Sequence, residues 1–255
     1  MKRLFSIIVI ILFSQLQIFN SIAASDGEVE ISSKKTNNGV VKDCFESVNR
    51  GIFAFNQGLD KVIFKPLSKG YRQLPQPLRS GTSNVLSNIG NVVTIPNNIL
   101  QGQIKDAGIN SLRLILNTTL GIAGIFDVAS YYGLEKRDKE DYGQTLARWR
   151  LPAGPYLVLP FLGPTNVRDT VAFVPAFIYA DPVSYDASDR KLTLVYALRM
   201  FNTRAELLAA DHILKLQLDP YLFVRESYWQ RRLDAIYDNL SPAERRERGF
   251  EPLND

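Results

Sequence analysis

The sequence predicts a mostly α-helical protein, a single domain of amphipathic helices joined by connections that glycine and proline break. Three observations carry that reading. Between Phe45 and Phe64 the apolar residues recur at the helical spacing, not at every second position. Two later stretches open on helix-start signals, Thr203-Arg204-Ala205-Glu206 and Asp219-Pro220. The most apolar run after the N-terminus, GPYLVLPFLGPTNVRD (Gly154 to Asp169), is punctuated by proline and glycine every few residues, so it does not read as one long helix.

The 255-residue chain begins with Lys2 and Arg3, an apolar core LFSIIVIILF and the small-x-small pattern Ser21-Ile22-Ala23. That order is a secretory signal peptide, residues 1–24. A spanning helix would need about 20 unbroken apolar residues, and Ser14, Gln15, Gln17 and Asn20 interrupt this one. Removing Lys2 and Arg3 from the 30 basic residues leaves 28 against 26 acidic ones, a net charge of +2. That balance gives no reason to invoke nucleic acid, whose binding rests on clustered cations. Cys44 is the only cysteine, so no intramolecular disulfide can form. It follows Val41-Lys42-Asp43, well past the apolar core, and does not read as the lipid-bearing cysteine of a lipobox. Residues 25–43 are polar, without aromatics or period, and read as a flexible leader; 44–239 hold the helical domain, and 240–255 form a charged tail.

In the first helix Phe45, Val48, Ile52, Phe55, Leu59, Val62 and Ile63 fall on one arc, with Glu46, Arg50, Gln57 and Lys61 roughly opposite. Asn49, Asn56 and Asp60 line one border of the arc. Gly51 and Gly58 sit at the other, where their cost of about 1 kcal/mol each fits a close backbone approach. Lys65-Pro66 predicts the end of this helix. Ile104 to Thr119 predicts a second, stopped by Gly121-Ile122-Ala123-Gly124; Thr203 opens a third to about Leu218, and Asp219-Pro220 a fourth through Arg232. Within GPYLVLPFLGPTNVRD, Tyr156 and Val158 hold one parity and Leu157, Leu159 and Phe161 the other. A strand with one wet face is therefore not expected. Val171 to Ala180 is a second apolar run, broken at Pro175. Both are too short to cross a bilayer as helices, and both suit burial in protein or partial immersion in lipid.

Most enzyme templates lack their side chains here. His212, the only histidine, shares a helix face with Asp211 and Lys215 and reads as a solvated polar surface. No GxSxG, HExxH, Walker or GxGxxG pattern occurs, and one histidine with one cysteine makes a structural zinc site implausible. No metal, cofactor or catalytic residue is expected. EKRDKED (Glu135 to Asp141) alternates in sign and reads as a solvated, self-compensated loop. What remains is a set of amphipathic helices with glycine and proline breaks. Such helices can lie in a membrane interface or form the core of a soluble helical protein, and pattern alone leaves both open.

Longer motifs tilt that balance. DCFESVNRGIFAFN (Asp43 to Asn56), LPQPLRSGTSNVLSNI (Leu74 to Ile89), ILQGQ (Ile99 to Gln103), LNTTLGIAGIFDVA (Leu116 to Ala129), YGQTLARWRLPAGPYLVLPFLGPTNVRD (Tyr142 to Asp169), TRAELL (Thr203 to Leu208) and DPYLFVRESYWQR (Asp219 to Arg231) follow one another. In their order and spacing the chain resembles the MlaA family, also called VacJ, over nearly the whole predicted domain.

The resemblance implies a flat, ring-like helical domain embedded in one leaflet of the outer membrane, with an amphipathic channel through it. It implies removal of mislocalised phospholipids from the outer leaflet, handed to a periplasmic lipid carrier of the Mla type, beside a trimeric outer-membrane porin and without catalysis. On that basis Asn49, Asn56, Asp60, Asn117 and Thr118 are expected to line the channel, and Gly121 and Gly124 to let a gating loop move. Tyr156, Leu157, Leu159, Phe161 and Arg168 form the expected membrane-dipping segment, with Arg168-Asp169 returning the chain to the polar side. Two departures stand out: Cys44 occupies the position where the family motif usually has proline, and no lipobox is recognisable. The expected anchor is therefore the amphipathic helices themselves, on the periplasmic side of the outer membrane. The alternative is a soluble periplasmic lipid-binding or scaffold protein.

Overall fold

Helix α1 (Glu46–Leu59) runs into a π-helical turn (Asp60–Phe64) and from there directly into α2 (Lys65–Arg72). The helix does not end at Lys65-Pro66 as predicted. Pro66 stands in the first turn of α2, where a missing N–H is least costly, and the π turn re-spaces the backbone so that Lys65 N donates to Asp60 O. The computed structural model describes residues 41–175 and 189–237, which fall within one unit, Gly39–Asp255. The predicted signal peptide, residues 25–40 of the leader, the 176–180 end of the second apolar run and the 240–255 tail lie outside the described residues.

After extended Pro75 the chain forms α3 (Gln76–Leu100), 25 residues with Pro96 inside, and α4 (Ile104–Thr119) folds back along it with the bounds the sequence predicts. Then come α5 (Val128–Tyr131), α6 (Tyr142–Arg148), β1 (Tyr156–Leu159), β2 (Gly163–Asn166) and α7 (Val167–Pro175). They are followed by α8 (Asp189–Glu206), a 3₁₀ turn (Leu207–Ala210), α9 (Asp211–Lys215) and α10 (Pro220–Tyr237). Thr203 does not start a helix, because α8 runs through it to Glu206. Arg204 is instead a cross-helix clamp, bidentate on Asp60 at 2.6 and 2.8 Å and on Asp211 at 2.7 Å. Asp219 does cap α10: its Oδ1 accepts from Tyr221 N at 3.0 Å and Leu222 N at 3.2 Å.

The broken apolar run is an antiparallel hairpin, with Tyr156 opposite Asn166 and Leu159 opposite Gly163. This is a strand pair the parity of its residues argued against. Tyr156 and Val158 are buried with Val41 and Tyr221 in an apolar cluster; Leu157 and Leu159 are half-buried, and Phe161 at the tip is exposed. Because β1 pairs with β2 along one edge only, its other edge needs partners, and α1 supplies them. Asn49 donates from Nδ2 to Tyr156 O at 3.0 Å and accepts on Oδ1 from Val158 N at 2.9 Å. Asn56 repeats the pattern on Leu159 O and Phe161 N, both at 2.9 Å. The match follows from two periods, since seven helical residues rise about 10.5 Å and three strand residues about 10 Å. No backbone comes near Gly51 or Gly58, where nothing lies within 4 Å of an added Cβ, so close approach is not the reason for either glycine.

The folded unit starts earlier than expected, inside the residues assigned to the leader. Val41 joins the apolar cluster, Lys42 O accepts from Tyr156 N at 2.8 Å, and Asp43 accepts from Asn49 at 2.8 Å, Arg225 at 3.2 Å and the Tyr221 hydroxyl. The EKRDKED segment is likewise not self-compensated. Lys136 pairs with Asp127 at 3.4 Å, Arg137 with Asp106 at 3.3 Å and Asp141 with Arg232 at 2.7 Å, while Asp141 caps α6 through Gln144 N at 2.8 Å. Lys139 donates to Ser87 O at 2.9 Å and to Asn91 Oδ1, strapping the segment onto α3. Burial of its ammonium end, with Arg113 and Lys136 nearby, lowers its pKa from 10.5 to about 8.

Two outcomes are expected. Asn49→Leu strands Tyr156 O and Val158 N in a buried place and should cost about 2–5 kcal/mol, seen as a larger fall in thermal midpoint than Asn56→Leu gives at its half-buried site. Equal falls would show that the hairpin edge does not depend on Asn49. Lys139 holds its proton less tightly when folded, so the unfolded chain carries more protons between pH 8 and 10.5, and this group's contribution to stability grows as pH rises through that window. Lys139→Gln should flatten the rise in thermal midpoint above about pH 8; an unaltered slope would contradict the assignment.

Candidate functional site

Burial in this chain is inverted. Among the described residues 15 polar or charged side chains are buried against nine apolar ones, while Phe55, Val62, Leu112, Ile115 and Phe126 are each more than half exposed. The predicted arc of α1 follows this inversion: Val48, Phe55, Val62 and Ile63 face outward, and the asparagine border faces in.

The buried polar groups form a seam between α3 and α4. Asn88, Asn91, Thr94, Asn97 and Asn98 recur at three- or four-residue steps along α3, and Asn110, Arg113 and Asn117 do so along α4. Such steps put each set on one helix face, and the two faces bond. Asn110 donates to Asn98 Oδ1 at 2.9 Å, Asn98 to Gln103 Oε1 at 2.6 Å, and Asn88 to Thr118 Oγ1 at 2.8 Å. From α6, Thr145 donates to Asn97 Oδ1 at 2.6 Å, and Gln101 donates to Glu140 at 2.8 Å and Thr145 at 3.2 Å. Asparagine suits this role because its side chain carries both a donor and an acceptor, as the peptide group does.

At the far end of α4 the seam becomes charged. Arg113 Nη2 donates to both carboxylate oxygens of Asp127, at 2.7 and 3.0 Å, and Nη1 donates to Leu134 O, while Asn117 donates to Asp127 at 3.0 Å and accepts from Ala129 N at 2.9 Å. Burial opposes ionisation of Asp127, but bonds from Ser130, Asn117 and Arg113 outweigh it and hold its pKa down at about 2. Between these anchors the chain turns through Ile122 and Ala123, at φ 52° and 55°, to Gly124 at φ 90°. A Cβ on Gly121 would lie 2.3 Å from Phe126 O, and one on Gly124 2.8 Å from Asn88 Cβ. Both glycines are thus required by close approach, and the strain sits on Ile122 and Ala123.

The residues expected to line a channel fall into two groups. Asn49 and Asn56 hold the hairpin and Asp60 is gripped by Arg204; Asn117 is engaged with Asp127 and Ala129, and exposed Thr118 accepts from Asn88. Of the segment expected to dip into a membrane, Tyr156 is core and Arg168 is buried beside Asp169 at 2.9 Å, Leu157 and Leu159 are half-buried, and Phe161 is exposed. His212 is exposed on α9. Among the described residues no three His, Cys, Asp or Glu gather as a metal would need, and no helix is long and apolar enough to cross a membrane. Sequence reasoning missed the Arg113–Asp127 pair and the α3 stripe, whose signal was the three-residue spacing of Asn88, Asn91, Thr94 and Asn97.

Comparison with known proteins agrees with this architecture. The family described as MlaA lipoprotein matches residues 41–235. An Escherichia coli (strain K12) protein named intermembrane phospholipid transport system lipoprotein MlaA is 34% identical over 198 residues, 74% of this chain and 76% of that protein. A Haemophilus influenzae protein of the same name is 29% identical over 199 residues, 77% and 80% of the two chains. A solved structure, from work on the structural basis for maintenance of bacterial outer membrane lipid asymmetry, superposes with a TM-score of 0.69 at 33% identity, over 76% of this chain and 99% of that one. The chain belongs to the MlaA lipoprotein family.

Proposed function

We propose that this chain is an outer-membrane component of intermembrane phospholipid transport. In this reading it takes mislocalised phospholipids from the outer leaflet and passes them to a periplasmic carrier, beside a porin trimer, without breaking a covalent bond. The observation that carries the reading is the inverted burial, in a member of this family. Apolar surface left in water costs roughly 25 cal/mol per Å², and an exterior bearing Phe55, Val62, Leu112, Ile115 and Phe126 is stabilised by acyl chains rather than water. A soluble carrier would turn those side chains inward, which disfavours the alternative. The hairpin supports immersion too, since its backbone is answered by protein through Asn49 and Asn56, leaving Leu157, Leu159 and Phe161 to meet lipid.

A charged head group crosses hydrocarbon only at great cost, so it follows the seam. In this reading Asn49, Asn56 and Asn117 hold the walls, while Thr118 and the Asp60–Arg204 pair are the polar groups open to a head. The turn Gly121–Phe126 acts as the gate. Its two left-handed non-glycine residues store about 1–3 kcal/mol each, which brings a second conformation within reach.

Labelling of outer-leaflet phospholipid amines with an impermeant reagent tests the function: exposure should rise in cells lacking the chain and fall when it is restored. No change, with the envelope otherwise intact and no second copy compensating, would sink the transport reading. Thr118→Val loses one hydrogen bond, about 1 kcal/mol, and should leave the fold intact yet restore asymmetry incompletely; full restoration would remove Thr118 from the path.

A further inference from the structure

Where the turn from α2 into α3 meets the end of α8, a cavity of about 350 Å³ opens, a size that suits a small ligand. Its described lining carries both signs of charge. Arg72 comes from the last turn of α2 and Arg79 from the start of α3, with the hydroxyls of Ser80 and Ser83 on the same helix. Glu206, the last residue of α8, brings a carboxylate. That carboxylate is held in place: Tyr71 Oη donates to Asn202 Oδ1 at 3.0 Å, and Asn202 Nδ2 donates to Glu206 Oε1 at 2.9 Å. Arg79 is held too, since its Nε donates to Leu74 O at 3.1 Å, and its two terminal nitrogens are left for another acceptor. Among the described residues neither arginine pairs with Glu206, and Arg72 has no side-chain partner. Opposite charges that line one cavity without pairing suit a ligand that carries both signs. Arg79 also stands at the start of a 25-residue helix whose first turn has no acid, a place where a cation is disfavoured and an anion welcome.

We propose that this cavity seats a lipid head group that joins a phosphate to a primary ammonium, as phosphoethanolamine does. The inference rests on the lipid-transport reading above and names which heads that machinery holds. The phosphate takes charge-assisted bonds from Arg72 and from the terminal nitrogens of Arg79, with Ser80 and Ser83 as neutral donors. The ammonium donates to Glu206, whose Oε1 Asn202 already orients. Leu74, whose carbonyl holds Arg79, has an exposed side chain, and so has Leu78, so the acyl chains leave the site over apolar surface. Selectivity follows from Glu206. A glycerol head brings no ammonium to that carboxylate and sets a phosphate beside it, where like charges repel. A head with an ammonium turns the same contact into an attraction.

The test titrates the purified full chain, kept in solution by a non-ionic amphipathic polymer, with dihexanoyl phosphatidylethanolamine below its micelle concentration. Dihexanoyl phosphatidylglycerol and free phosphoethanolamine are the comparators. The ethanolamine lipid should bind about tenfold tighter than either. Arg72→Gln should weaken both lipids by about tenfold. Glu206→Gln keeps an acceptor for Asn202 and should bring the two lipids level without moving the thermal midpoint. Equal binding of the two lipids by the unaltered chain overturns the selectivity, and binding that neither variant changes overturns the site. Free phosphoethanolamine bound as tightly as the lipid overturns the lipid source in favour of a soluble phosphate compound. The labelling experiment separates this proposal from the one it rests on. If deletion raises outer-leaflet labelling while the variants bind both lipids as the unaltered chain does, transport stands and the cavity fails. If deletion leaves labelling unchanged while binding is selective and lost in the variants, the transport reading fails and the head-group site stands.

Discussion

A chain that buries so many polar groups must answer most of them from within, and side-chain amides carry much of that load. A buried peptide group without a partner costs as much as a lost hydrogen bond or more, and the penalty grows where water is absent. Asn49 and Asn56 meet it for the free edge of β1, Asn98 and Asn110 for the facing sides of α3 and α4, and Asn117 for the start of α5. Each placement fixes two elements at once, because an amide that donates to one strand position and accepts at another tolerates little sliding. The seating of the hairpin on α1, of α4 on α3 and of α5 on α4 each rests on such a bond.

That constraint also explains which parts of the fold were legible in the sequence. Helix α4 and the start of α10 announce themselves locally, by periodicity in one case and by Asp219-Pro220 in the other. Helix α3 does not, because a reading of periodicity assumes that apolar residues go inward, and its inward stripe is Asn and Thr. The hairpin was hidden for a related reason. With apolar residues at both parities, nothing in Tyr156 to Phe161 distinguishes the face that packs on Val41 from the face left outside. Pro66 and Thr203 misled in the opposite direction, since each is a boundary signal that the surroundings override. A π turn accommodates the proline, and the Arg204–Asp60 clamp holds the residues after Thr203 in helix.

The site was legible in part. The asparagines bordering the first helix were found because polar residues beside an apolar arc stand out, but the sequence carries no sign of what their amides meet across a separation of more than 100 residues. Arg113 and Asp127 are ordinary residues on paper and become a site only when α4 and the following turn close on one another. Gly121 and Gly124 were recognised as a break, and the structure assigns the strain to the residues between them.

The seam joins two contrasting ends, a charged pair and a strained turn. The Arg113–Asp127 pair is nearly buried, and Asp127, with its pKa held at about 2, stays ionised through any neutral medium. Removing one member of such a pair is strongly destabilising, about 3–5 kcal/mol, so it resists rearrangement. The turn it anchors has the opposite character: Ile122 sits in a left-handed conformation that a β-branched residue tolerates poorly, and its side chain is exposed. This strained turn lies between polar anchors, tied to α3 by Asn84 Nδ2 on Ile125 O at 3.1 Å, while the Asn98–Asn110 and Asn88–Thr118 bonds that fix α3 on α4 lie outside it. Polar satisfaction therefore sets the frame, and backbone strain collects in the connections, at Ile122 and Ala123 in this turn, at Arg150 after α6 and at Phe161 at the hairpin tip.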